Sequence, residues 1–118
     1  MVAVIENDYK LISAKPFAPN LGAEIRGVDL STPVPDDQFA EIHDAFLTYQ
    51  VLFFKEQAEI PPEQHVAFGK RFGDLHAHPA APTMAGHPEI FEIHATRNSK
   101  VANGEFWHSD VSCDETPP

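Results

Sequence analysis

The order of apolar and polar positions divides the chain into short segments. Lys10 to Ala14 and Ala23 to Val28 alternate apolar with polar residues, and Pro16, Pro19, Asn20 and Gly22 punctuate the stretch between them. A period of two predicts a pair of short strands around a turn. Asp36 and Asp37 then precede Phe39, Ile42, Phe46 and Tyr49. Their spacing predicts a helix with all four side chains on one core-facing stripe, and its acidic start suits the positive end of the helix dipole. Val51 to Phe54 is a brief apolar run closed by Lys55-Glu56, which predicts a buried strand. Pro61-Pro62-Glu63-Gln64 opens a second helix, since proline is tolerated in a first turn whose N–H groups lack intrahelical partners; Ala67, Phe68 and Phe72 line one side of it before Gly73. Asp74 to Pro88 has no usable period and predicts a long surface or site-lining loop. Ile90 to Ala95 alternates like a strand, Arg97 to Glu105 is polar around an Asn103-Gly104 turn, and Phe106 to Val111 returns to strand-type residues. On a regular strand Trp107 and His108 point to opposite faces, with Trp107 in the core.

Composition narrows the class. Eight Lys and Arg against eighteen Asp and Glu leave a net charge of −10 with histidine neutral, which argues against a surface built to neutralise phosphates and hence against nucleic acid as the main partner. The 42% hydrophobic content is that of a globular chain, and no apolar run approaches the roughly 20 residues that span a bilayer. One cysteine, Cys113, cannot form an internal disulfide, and no signal-peptide pattern opens the sequence, so a cytoplasmic protein with no membrane partner is expected.

Among seven histidines, His108 stands out because it is followed by Ser109 and Asp110. Residues two apart on a strand share a face, so an imidazole nitrogen and a carboxylate oxygen could take two adjacent corners of one metal ion. With a second histidine these would form the facial triad of non-haem Fe(II) oxygenases, which leaves positions open for a chelating co-substrate and O2. The triplet alone is weak, since about half of one is expected by chance from this His and Asp content. A solvated histidine beside a capping aspartate is the plainer alternative. His76 and His78 could face one site from an extended loop, although a solvated pair is the commoner outcome.

Context strengthens the motif. Phe106-Trp107-His108-Ser109-Asp110-Val111 followed by Glu115-Thr116-Pro117-Pro118 resembles the metal motif of the taurine dioxygenase (TauD/TfdA-like) family of Fe(II)- and 2-oxoglutarate-dependent oxygenases. Leu21-Gly22-Ala23-Glu24-Ile25 with Gly27-Val28-Asp29-Leu30 is similar to the family's N-terminal hairpin, and Gln50 to Lys55 with Gln57 to its first core strand. Arg71-Phe72-Gly73-Asp74-Leu75-His76, with His78-Pro79, is similar to its helix end and substrate loop. The resemblance runs from about Leu11 onward.

It implies an α+β chain forming the N-terminal part of a double-stranded β-helix (jelly-roll, cupin-like) oxygenase domain with two flanking helices, residues 1–118 being one part of that single domain. His108 and Asp110 match the first two iron ligands; His78, Asn103, Gly104 and Val111 match substrate-binding positions. Fe(II), 2-oxoglutarate and O2 are the implied cofactor and co-substrates. The substrate is a small, anionic organic molecule that becomes hydroxylated, and a homo-oligomer is left open. A tyrosine that taurine-type members place three residues after the substrate histidine is Ala81 here, so the resemblance points to the class rather than to taurine itself. The second iron-binding histidine and the arginine that pairs with 2-oxoglutarate have no match in the chain; they are expected downstream of Pro118, and the 118 residues by themselves are expected not to turn over. Two other readings are a non-catalytic metal-binding module, in which His76 or His78 completes the site, and a truncated module that pairs with another chain.

Overall fold

The computed structural model describes residues 8–19, 21–79, 81–100, 106–112, 114 and 115. The chain divides into two compact units, residues 1–72 and 73–118.

In the first unit, β1 (Ser13–Pro16), β2 (Ala23–Arg26) and β3 (Leu52–Phe54) form a sheet in the order β1-β2-β3, with α1 (Asp36–Tyr49) and α2 (Pro62–Lys70) completing the unit. β1 pairs antiparallel with β2, and β2 pairs parallel with β3. A parallel pair cannot be joined by a tight turn, and α1 supplies the crossover. The first strand lies a few residues later than the pattern predicts. The reason is Glu41 of α1, whose carboxylate accepts the backbone N–H groups of Lys10, Leu11 and Ile12 at 2.9, 2.8 and 3.1 Å, so this stretch is bonded to a helix rather than to a strand. Gly22 and Gly27 both have positive φ, +85° and +84°, which an L-residue adopts only with strain; a Cβ on Gly27 would also meet the Leu11 carbonyl at 3.5 Å.

Central β2 is buried along Ala23, Glu24 and Ile25. Ala23 and Ile25 join Ile12, Val28, Leu30, Ile42, Ala45 and Tyr49 in the core. Glu24 avoids an unpaired buried charge because Arg26 Nε donates to its carboxylate and Lys55 Nζ stands 2.9 Å away. Those two cations, Lys55 first, hold its carboxyl below the usual range.

The expected stripe on α1 is divided. Ile42 and Tyr49 are buried with Ala45, whereas Phe39 and Phe46 turn toward Phe72, two residues past the end of α2, and both pack edge-on against its ring at 5.0 and 5.7 Å; Phe39 also meets Phe68 of α2 at 6.1 Å. A stripe this wide serves two neighbours, the sheet and the second helix. Strand β3 is likewise less buried than expected: Phe53 is exposed on the outer face, where its ring meets Phe17. No strand beyond β3 covers it among the described residues. At the end of α2, Arg71 donates to the Val34 carbonyl at 2.7 Å and to Asp36 at 2.8 Å, and lies over the Phe39 ring, tying the last turn of one helix to the first turn of the other.

The second unit departs further from expectation. Within the stretch expected to be a loop, β4 (Thr83–Met84) pairs antiparallel with β5 (His87–Phe91) around Ala85-Gly86. Gly86 has φ +82°, as the third residue of a type II turn requires. The strand expected at Ile90 to Ala95 therefore begins and ends earlier, because its pairing is set by this turn. Phe106 to Val111 is not a strand. A strand exists by its ladder, and no described segment offers one to these residues. Trp107, expected in a core, is fully exposed. Among the described residues no helix is long and apolar enough to cross a membrane.

Candidate metal and substrate site

His108 and Asp110 do converge, though by a different route from strand alternation. The chain turns at Asp110 to Ser112, with Val111 at φ +46°, an uncommon value for a β-branched residue. The turn brings Asp110 Oδ1 within 3.0 Å of His108 Nε2. His108 Nδ1 meets the Phe106 carbonyl at 2.5 Å, a contact that requires the proton on Nδ1. A histidine so fixed keeps Nε2 for a metal, and a carbonyl on the other nitrogen is the usual outer support of a metal-bound imidazole. The Phe106 carbonyl, with the nearby Asp110 charge, raises the His108 pKa above its ordinary value against a smaller opposing effect of desolvation. Both side chains are largely exposed, at 51% and 85%, so the approach to them is open.

The donor set fits two corners of an Fe(II) site: one imidazole nitrogen and one carboxylate oxygen, side by side. It does not reach three. Among the described residues no group of three or more His, Cys, Asp or Glu side chains is placed to hold a metal. Neither His76 nor His78 thus completes the centre, contrary to what the metal-binding-module reading requires.

His78 stacks on Phe91 of β5, with ring centroids 5.5 Å apart and planes at 29°. Two residues earlier in the same loop, His76 is only partly exposed. Its Nε2 is buried without a hydrogen-bond partner and lies 3.4 Å from Asp114 Oδ2. The backbone N–H of Asp114 donates to the Val111 carbonyl at 3.0 Å, which closes the turn after the metal motif. Asn103, Gly104 and Cys113 lie outside the described residues. Sequence reasoning missed the Phe106 carbonyl, the Phe91 ring and Asp114. The first is a backbone group and gives no residue signal, and the other two carry no motif of their own. The quoted motifs around Gly22, Gly27, Gln57 and Arg71 turn out to be scaffold: Gln57 receives the Leu30 N–H and donates to the Val28 carbonyl, both at 2.9 Å.

The chain is 32% identical over 112 residues to an alkylsulfatase of Acinetobacter baylyi, covering 95% of this chain and 34% of that protein. It is 31% identical over 107 residues to an alpha-ketoglutarate-dependent sulfate ester dioxygenase of Pseudomonas putida, covering 91% of this chain and 35% of the relative. The chain thus spans about a third of the length of the curated relatives it matches. The crystal structure of a taurine dioxygenase from Burkholderia xenovorans superposes with a TM-score of 0.64 at 40% identity, over 70% of this chain and 29% of that one. The family model described as taurine catabolism dioxygenase TauD, TfdA family matches residues 13–118, and the chain belongs to that family.

Proposed function

We propose that this chain supplies the first two metal ligands and the anion-binding loop of an Fe(II)- and 2-oxoglutarate-dependent dioxygenase that hydroxylates a small organic sulfate or sulfonate. Residues 1–118 are, on this reading, the N-terminal part of one jelly-roll oxygenase domain, with the second iron-binding histidine and the 2-oxoglutarate-binding arginine supplied by further sequence. The observation that carries the proposal is the convergence of His108 Nε2 and Asp110 Oδ1 at 3.0 Å, with Nδ1 already committed to the Phe106 carbonyl.

Iron, with 2-oxoglutarate and O2, supplies the oxidising equivalents, and succinate and CO2 are released. The protein's own part is ligation, orientation and binding of the substrate anion. His108 and Asp110 hold adjacent corners. His78, its ring plane held against Phe91, donates to the sulfate or sulfonate group, an interaction strengthened by charge. For an alkyl sulfate, a hydroxyl placed on the carbon that bears the ester oxygen yields a product that collapses to an aldehyde and sulfate. The identity to an alkylsulfatase and a sulfate ester dioxygenase supports this substrate class, and Ala81 leaves room where taurine-type members carry a tyrosine.

The test is succinate formed from 2-oxoglutarate with an alkyl sulfate present. The protein joined to the remainder of its domain forms succinate, whereas the 118 residues alone give none above background. His108→Ala or Asp110→Ala lowers turnover by more than the roughly 10–100-fold typical of losing an outer-shell partner. Undiminished turnover in either variant would remove both residues from the metal.

A further inference from the structure

His76 is the one titratable side chain of the second unit, among the described residues, that combines a buried polar atom with no hydrogen bond to it. Its Nε2 has no contact with solvent, yet its nearest charged group, Asp114 Oδ2, stands at 3.4 Å, just beyond hydrogen-bond geometry. Buried donors and acceptors are seldom left in this state. Each partner sits on a segment that matters. His76 is two residues before His78, and Asp114 closes the turn that begins at Asp110 through its N–H to the Val111 carbonyl. That turn contains Val111 at φ +46°, a backbone position that persists only where neighbouring contacts hold it.

We propose that His76 and Asp114 are a positioning pair, a latch that fastens the loop of His78 to the turn bearing Asp110 and so couples substrate binding to metal binding. The inference rests on the function proposed above. Neither residue touches the metal. In the structure the latch is nearly closed, and a shift of a few tenths of an ångström completes a charge-assisted hydrogen bond, as site contacts commonly tighten when ligands bind. Because the bond joins the two segments, what orders one orders the other, and the coupling is reciprocal.

The experiment uses Co(II) as the probe in the protein joined to the remainder of its domain, following the visible Co(II) bands and the fluorescence of Trp107 beside His108, with and without an alkyl sulfate. Wild type binds Co(II) several-fold more tightly when the sulfate is present. His76→Phe, which keeps the shape but not the donor, and Asp114→Asn each abolish that enhancement, and the double variant loses no more than either alone. His76→Gln, which places an amide N–H near the position of Nε2, restores it. A purely structural role predicts loss of thermal stability in His76→Phe with the enhancement intact. That outcome, or additive losses in the double variant, or no rescue by glutamine, overturns the latch while leaving the metal site standing. Failure of wild type to bind Co(II) overturns the proposed function and the latch together.

Discussion

At the scale of single residues, His108, the proposed metal ligand, has its two ring nitrogens divided between a backbone carbonyl and a side chain. The Phe106 carbonyl favours the form protonated on Nδ1 and Asp110 favours a second proton on Nε2, so in the metal-free protein the imidazolium is stabilised. Its folded pKa is raised above 6.5, so its contribution to stability is fully present below the unfolded value and is lost as pH rises through the folded one. Metal binding runs the opposite way, because the ion must displace the Nε2 proton. Two results are expected. In an NMR titration of the metal-free protein, the His108 ring titrates above the ordinary histidine value, and Asp110→Asn brings it down. Co(II) affinity rises as pH increases through that range; an affinity that is flat with pH would show that His108 is not a ligand.

At the scale of elements, the helices were readable because their signals are local. Proline and acidic residues open both α1 and α2, and apolar spacing sets their extents. Which apolar residues enter the core was not local, since Phe39 and Phe46 belong to the same stripe as Ile42 and yet pack against Phe72, just past the end of α2. The distinction is measurable in urea unfolding. Ile42→Ala, at a fully buried position, is expected to cost about 2–5 kcal/mol, whereas Leu47→Ala on the exposed side should stay within about 0.5 kcal/mol. Gln57→Ala removes both hydrogen bonds that fasten Val28 to Leu30 and is expected to cost about 1–2 kcal/mol. Equal costs for Ile42 and Leu47 would mean that α1 packs in a different rotation.

At the scale of the whole molecule, burial is uneven. Every buried residue among those described lies in the first unit, while the second, which carries His78, His108 and Asp110, holds its residues at intermediate or full exposure. Local stability follows buried contacts. Amide hydrogen exchange is therefore expected to be slowest at Ile25 and Ile42 and fastest around Trp107 to Asp110 in the 118-residue chain. Comparable protection in both regions would contradict this division. A site on a lightly packed unit gains order from what it binds, which is why the His76–Asp114 contact has consequences for affinity rather than for the core.

Sequence alone determined what depends on residue type and short spacing: two helices, a pair of short strands around the Gly22 turn, the family, and a His-x-Asp motif of the kind that holds iron. It did not determine the ending and pairing of strands, because a strand exists only where a neighbour offers a ladder. For that reason Phe106 to Val111, which carries the His-x-Asp motif, is not the strand that its residue types predict. Nor could it reveal that His108 and Asp110 meet across a turn at Val111, that a backbone carbonyl sets the tautomer of His108, or that His76 and Asp114 stand together. Those facts depend on residues far apart in sequence, or on backbone atoms common to every residue, and only the tertiary structure brings them to one place.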